Sequence, residues 1–259
     1  MKIILLGSNN IVAKNLKKKL LKKNIDLVEF GRNTSNNSRF NVKSFKIDLL
    51  KKIPFISNFI SVSNENVIIN FIGETNENKN LLQLNIYSMK KILNQILLKK
   101  IKKKIHWIQI SSAGVYNRNC SNTYINENSL ELPFNNYEKS KLVFDKLLIS
   151  KTKNPNFKVT ILRPTSIISS NMKAKYFFQI IKLIKRNLFF FIHDKNCIFN
   201  FTDIESLSKI IMFSIFQNKK INNTYIVSNF FYLKDLVSLH KKRWSYVPVV
   251  PLVVVNSLL

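Results

Sequence analysis

The sequence predicts an α/β fold, a doubly wound parallel sheet carrying a smaller C-terminal subdomain. Three observations lead there. Apolar runs of strand length alternate with amphipathic runs of helix length through the first two-thirds of the chain, the pattern of βαβ units. Several strand runs are apolar throughout, as expected where helices cover both faces of a sheet. The first opens into a helix through Gly7-Ser8-Asn9-Asn10-Ile11-Val12-Ala13, a turn of the kind that lets backbone N–H groups approach a pyrophosphate at a helix N-terminus.

Taken in order, Ile3 to Leu6 reads as a first strand, Ile11 to Leu21 as a helix, Leu27 to Phe30 as a second strand and Ser44 to Ile47 as a short third. Val67 to Ile72 is an apolar strand interrupted only by Asn70, and Leu81 to Leu98 carries its Leu, Ile and Met at helical spacing. Ile105 to Ile110 is a fifth strand, Tyr137 to Ser150 a helix and Val159 to Leu162 a sixth strand. Beyond Pro164 the pattern is less regular: a helix around Tyr176 to Lys185, an aromatic strand-like run from Leu188 to Ile192, a helix from Ile204 to Phe216, a strand from Tyr225 to Val227 and a helix from Leu233 to Leu239. The expected division is a nucleotide-binding domain of Rossmann type over residues 1–165, holding the reactive residues, and a smaller substrate-binding region over 166–259, partly interleaved with it. The Asn/Ser-rich stretch Asn33 to Asn41 is the expected mobile loop.

A chain of 259 residues can bury a substantial core in one large domain with an appendage, whereas two full domains would be crowded. The net charge of +28 would ordinarily point to nucleic acid or an anionic membrane. However, the basic residues are Lys except for Arg32, Arg39, Arg118, Arg163, Arg186 and Arg243, and they accompany an excess of Asn and Ile. All three residue types have AT-rich codons, so base composition accounts for the charge and a nucleic-acid partner is not expected. Cys120 and Cys197 occur without a CxxC or a His cluster, which supports neither a disulfide nor a metal site and suits a reducing cytoplasm. The start of the chain has no signal-peptide pattern. The apolar run Val247 to Leu259 is broken by Pro248 and Pro251 and falls short of the ~20 residues of a membrane helix, so no transmembrane segment is expected.

Two further motifs carry chemistry. Tyr137-Glu138-Lys139-Ser140-Lys141 puts a phenol and an ammonium four residues apart on one helix face, where the cation can lower the phenol from its ordinary value of about 10. Ile110-Ser111-Ser112-Ala113-Gly114-Val115-Tyr116 ends the fifth strand, bringing the Ser112 hydroxyl to the carboxyl edge of the sheet, where ligands bind in such folds. In the glycine turn only Gly7 stands at a glycine position; Asn10 and Ala13 occupy the other two. Ala packs helix on strand, and Asn10 is a residue that tolerates unusual backbone angles at a point where a side chain could crowd phosphates.

In this order and on these elements the motifs resemble the extended short-chain dehydrogenase/reductase family, the NAD-dependent epimerase/dehydratase group. Further similarities span nearly the whole chain: Asp48 resembles the acidic residue that contacts adenine, Asn70-Phe71-Ile72-Gly73 the family's strand-four segment, and Asn85 the Asn opening the next helix. Glu127, Leu162-Arg163-Pro164-Thr165 and Asn200-Phe201-Thr202-Asp203-Ile204 resemble the family's acidic loop, its "LRP" turn and a later conserved-type segment. The resemblance implies that Tyr137 is the general acid/base, that Lys141 tunes it and holds the nicotinamide ribose, and that Ser112 orients the substrate oxygen. It further implies a cofactor site drawn from Gly7, Asn9, Asn10, Ile11, Arg32, Asp48, Phe71, Ile72, Gly73, Asn85, Tyr137, Lys141 and Pro164.

Where NAD-preferring members end the second strand with Asp, this chain has Gly31 followed by Arg32. Losing the carboxylate and gaining a guanidinium favours a 2′-phosphate, hence NADP, with NAD still possible. The 4,6-dehydratases of the group carry Asp-Glu directly after their catalytic hydroxyl residue; Ala113-Gly114 here argues against dehydration. The expected reaction is 4-epimerization of a nucleotide-sugar through a keto intermediate, or reduction of a keto-sugar by NADPH, in surface-polysaccharide or sugar-nucleotide biosynthesis, with another small keto or hydroxy compound as the broader substrate class. The alternative is a degenerate nucleotide-binding protein without catalysis, suggested by Asn10, Ala13 and a short C-terminal region. The resemblance also implies a homodimer through the helices at Leu81 to Leu98 and Tyr137 to Ser150.

Overall fold

The computed structural model describes residues 1–23, 25–33, 42–62, 64–99, 104–116, 124–168, 175–192, 194–217, 222–241 and 247–250. Most of the expected mobile loop, Cys120 and the last nine residues of the apolar tail lie outside these. The strands are β1 (Lys2–Leu6), β2 (Asp26–Gly31), β3 (Val42–Lys46), β4 (Asn66–Asn70), β5 (Ile105–Ile110), β6 (Phe157–Pro164), β7 (Ser166–Ile168), β8 (Phe191–Ile192), β9 (Ile198–Asp203), β10 (Asn223–Val227), β11 (Asn229–Tyr232) and β12 (Val249–Val250). The helices are α1 (Ile11–Leu20), α2 (Met89–Leu98), α3 (Asn136–Lys151), α4 (Lys175–Lys185), α5 (Ile204–Phe216) and α6 (Leu233–His240).

A seven-stranded sheet in the order β10-β6-β5-β4-β1-β2-β3 forms the centre, every pairing parallel. Its middle strands are buried along their whole length, as continuous apolar runs require. Helices supply the cover. In α2 the residues Met89, Ile92, Leu93 and Ile96 recur at helical spacing and are fully buried, each worth about 1.5–3 kcal/mol of transfer free energy. α1 turns in Val12, Leu16 and Leu20 in the same way. Trp107 of β5 meets Phe144 of α3 with ring centroids 6.1 Å apart.

The sheet has seven strands, not the six the sequence pattern suggests. After α5 the chain returns and β10 pairs with β6, from Asn223 opposite Thr160 to Val227 opposite Pro164. The return is held by side chains: Asn222 Oδ1 accepts from Val159 N–H at 2.9 Å, Glu127 Oε1 accepts from Ile226 N–H at 2.9 Å, and Ile226 packs on Val115, Tyr116 and Leu142. Val67 to Ile72 is also shorter as a strand than expected. It stops at Asn70 because the Asn70 side chain accepts from Ile72 N–H at 2.9 Å and turns the chain out of the sheet.

The chain divides into two compact units, residues 1–165 with 204–227, and residues 166–203 with 228–259. The second has its own small sheet, β11-β9-β7. Phe199 and Phe231 stack on it at 5.2 Å, with Phe177 of α4 against both. α4 and α6 bury Ile184, Leu236 and Val237 with Phe191 in a separate core. Of the aromatic run Leu188 to Ile192, only Phe191–Ile192 is strand, paired with Val249–Val250. No helix among the described residues is long and apolar enough to cross a membrane.

Candidate functional site

The order of the sheet reverses at β1, which has β2 on one side and β4 on the other. In an open parallel sheet this leaves a crevice beyond the carboxyl ends of the strands. A cleft of ≈ 330 Å³ lies there, and its walls include Gly7, Asn9, Asn10, Arg32, Asp48, Phe71, Ile72 and Gly73, all singled out from the sequence. Gly31 lines it too, and Phe30, Leu49, Leu50, Glu74 and Leu84 line it without having been foreseen. Glu74 stands where a strand's exit loop could have flagged it.

The chain contains four glycines, Gly7, Gly31, Gly73 and Gly114, and each follows or ends a strand at this edge. Gly7 has φ +83°, and a Cβ there would sit 3.0 Å from the Ile72 nitrogen, so both backbone conformation and close approach demand glycine. At Gly31 a Cβ would meet Ser8 Oγ at 2.5 Å and Asn9 Oδ1 at 2.6 Å. The space where an acidic side chain would project from the end of β2 is thus filled by a neutral hydroxyl and amide. The Asn9 amide is itself fixed, donating to Asn33 O and accepting from Asn33 N–H at 3.0 Å, which ties down the turn that carries Arg32.

Asn10 does not use an unusual backbone angle. At φ −59°, ψ 141° it is the N-cap of α1, its side chain accepting from Val12 N–H at 2.8 Å. The side chain is thereby engaged with its own helix. The first turn, beginning at Ile11, carries no acidic residue and remains electropositive. Asp48 lines the opposite wall, its carboxylate accepting from Leu50 N–H at 3.1 Å.

At the other end of the cleft Gly73 backs onto Lys141: a Cβ at Gly73 would lie 2.7 Å from Nζ. Lys141 is 6% exposed, and its ammonium donates to Ile110 O at 3.2 Å and Ile72 O at 3.4 Å, the exits of β5 and β4. Burial lowers it to about 8, with the negative charge of Asp145 opposing the fall. Nζ lies 5.8 Å from the centre of the Tyr137 ring. Tyr137 opens α3, whose start is fixed by a capping box between Asn135 and Glu138. Glu77 also accepts from Asn136 N–H at 2.8 Å.

The phenol is not lowered as the Tyr–Lys spacing suggests. Burial raises it above 10, a hydrogen bond with Ser112 pulls it back and the charge of Asp145 adds to the rise. The physical reason is burial of the phenol, while the ammonium donates to two main-chain carbonyls. Ser112 caps the short turn Ala113–Val115, accepting from Gly114 N–H at 3.1 Å, so one hydroxyl is shared between the turn and the phenol.

Ile11, Asn85 and Pro164 are not in the wall of the cleft. Asn85 lies in a π-helical turn, Gln83–Ser88, that leads into α2. Its Oδ1 accepts from Glu74 N–H at 2.7 Å, and its Nδ2 donates to Glu74 O at 3.0 Å and Ser140 Oγ at 2.9 Å. It clamps the loop after Gly73 onto α3. Pro164 ends β6, beside the buried Arg163. A network around Arg163 was not foreseen: its guanidinium donates to Glu131 at 2.7 Å and Asp145 at 3.2 Å and lies 4.9 Å from the centre of the Tyr116 ring. Among the described residues there is no cluster of metal-ligating side chains.

A crevice at a switch point, an electropositive helix start over a left-handed glycine and a guanidinium at the rim fit a dinucleotide, and together they define a dinucleotide-cofactor α/β enzyme. The model of the NAD dependent epimerase/dehydratase family matches residues 3–227, and the chain belongs to that family.

Solved structures share the fold. UDP-glucuronic acid 4-epimerase from Bacillus cereus, in complex with NAD, superposes with a TM-score of 0.76 at 17% identity, covering 97% of this chain and 87% of that one. MoeE5 in complex with UDP-glucose and NAD gives 0.73 at 13%, covering 97% and 89%. UDP-glucose 4-epimerase from Thermotoga maritima, with UDP-glucose, gives 0.73 at 13%, covering 97% and 86%. Among curated proteins, none matches the sequence.

Proposed function

We propose that the protein interconverts or reduces the sugar of a nucleotide-sugar, by 4-epimerization or keto-sugar reduction, with NADP as its preferred cofactor. The observation that carries this reading is the continuity at Gly73, which both lines the cleft and backs onto Lys141, whose ammonium lies 5.8 Å from the centre of the Tyr137 ring. In this reading Gly7, Asn9 and Ile11 hold the pyrophosphate end, Asp48 faces the adenine and Arg32 takes the 2′-phosphate. When bound, the nicotinamide supplies hydride transfer. The chain manages the proton. Ser112 holds the substrate oxygen, Tyr137 gives it or takes from it a proton, and Lys141 stabilises the phenolate form while holding the ribose. The presence of Ala113-Gly114 supports epimerization or reduction over dehydration.

Residues 166–203 and 228–259 are proposed to bind the sugar-nucleotide, the role that a smaller unit beside such a sheet commonly fills. Half-exposed Tyr87 before α2 and Val143 and Ile149 on α3 support a homodimer through these helices. The free thiol of Cys197 goes with a reducing cytoplasm.

Titration calorimetry of NADPH against NADH on the purified protein tests the cofactor reading. Arg32→Ala is expected to weaken NADPH by about 10- to 100-fold, the worth of charge-assisted hydrogen bonds, and to leave NADH unchanged. Binding of neither nucleotide by the wild type would instead favour a degenerate nucleotide-binding protein without catalysis.

Gly73→Ala tests the continuity itself. The new methyl must push Nζ from its two carbonyls, so kcat is expected to fall by about 100-fold, the usual cost of misplacing a reacting group by an ångström. The melting temperature should fall by a few degrees at most, because the displaced atom is the end of a flexible side chain but a buried ammonium loses hydrogen bonds.

A further inference from the structure

Asp145 lies on α3 one turn beyond Lys141 and has no solvent exposure. One oxygen, Oδ2, accepts from Ser111 Oγ at 2.7 Å and from Arg163 Nε and Nη2 at 3.3 and 3.2 Å. The other, Oδ1, is buried without a hydrogen-bond partner. A carboxylate with half its lone pairs unserved is costly to bury, and helix folding alone does not need it. Its neighbours share a theme: Ser111 adjoins Ser112, Arg163 adjoins Pro164, and residue 141 is on the same helix face.

The other buried carboxylates among the described residues are engaged elsewhere. Glu29 is bound by Lys17 and Ser44, and Glu138 caps α3. The hydrogen bonds of Lys141 go to neutral carbonyls only, so its ammonium needs a counter-charge from something close but not in contact. We propose that Asp145 is the positioning residue of the Tyr137–Lys141 pair, its buried negative charge set one helical turn from Lys141 on the same face of α3 while its hydrogen bond to Ser111 fixes the strand end that bears Ser112. The inference deepens the reading of those three residues as the reactive set.

The charged and titratable groups around Asp145 are Lys141 and Tyr137 from its own helix, Arg163 from β6, and Glu131 and Tyr116 about the guanidinium. Burial raises Asp145 to about 6, while Ser111, Arg163 and Lys141 hold it down; burial lowers Lys141 to about 8, while Asp145 holds it up. Between those values both are charged.

Lysine-¹³C NMR of the cofactor-free protein reads this directly, with the Lys141 Cε resonance assigned by its loss in Lys141→Met. The wild-type resonance is expected to titrate near 8, and near 7 in Asp145→Asn, about one pH unit lower as removal of a close opposite charge requires. An unchanged midpoint in the folded variant overturns the proposal. Should Asp145→Asn fail to fold, the wild type still decides. Ionisation of Asp145 must appear as a second, smaller step in the same resonance near 6, and a single-step curve overturns the proposal equally. Neither readout depends on turnover, so an active Tyr137→Phe enzyme would sink the functional reading without touching this one.

Discussion

Replacing Tyr137 by Phe is expected to lower kcat by about 10²- to 10⁴-fold, the usual worth of a positioned proton carrier. The ring remains, so packing at the start of α3 and nucleotide affinity in calorimetry should change little. Only the hydroxyl that meets Ser112 is lost. Steady-state kinetics with a keto-sugar nucleotide and NADPH would check it, and a variant within tenfold of wild type would remove Tyr137 from the proton path. The phenol lies above 10 in the free protein, so the bound state must supply the rest of its activation. This predicts that the effect is on kcat and kcat/KM alike rather than on KM alone.

Arg163→Met is expected to cost about 3–5 kcal/mol of folding free energy, because it strips Asp145 and Glu131 of a buried partner at once. Denaturant unfolding at pH 7.5 measures it. The pH dependence has a definite sign. Without the guanidinium the Asp145 carboxyl rises beyond about 6, further above its ordinary 3.8. A group raised in the folded state favours folding at low pH and loses that contribution as pH rises through the folded value. The variant should therefore recover stability relative to wild type as pH falls from the variant's raised value to about 6, the gain being complete below that. Arg163→Met combined with Asp145→Asn should recover part of the loss even at pH 7.5, and an additive double variant would show that the two side chains do not share one energy term.

The parallel sheet was legible because strands buried on both faces have to be continuous apolar runs, and Ile105 to Ile110 appears in the structure over the same residues. Ile204 to Phe216 is likewise a helix over the same span. The placement of Ser112 after a strand and of Tyr137 and Lys141 on a helix was legible because a strand exit and a helix start announce themselves by composition. What escaped depends on non-local geometry. The pattern around Tyr225 to Val227 says strand but not which sheet, and the pairing with β6 requires α5 to bring the chain back. Asp145 reads as one more acidic residue on a helix until Ser111 and Arg163 are seen to converge on it. The cap formed by Asn10 was visible in principle, since Asn before an apolar-periodic run is a helix-start signal. Reading it as a failed glycine concealed that role.

During synthesis from the N-terminus, β1 to β6 emerge from the ribosome before α5 and β10, with all of residues 166–203 in between. Until residue 227 is available β6 is an open sheet edge, and its backbone groups can pair with another nascent chain. The waiting edge is nearly all apolar, with Val159, Thr160, Ile161 and Leu162 buried once the protein is complete. Because Ile226 then closes over Val115, Tyr116 and Leu142, the turn after β5 and the start of α3 are the last part of the unit to be sealed, and any translational pause between residues 165 and 204 prolongs their exposure.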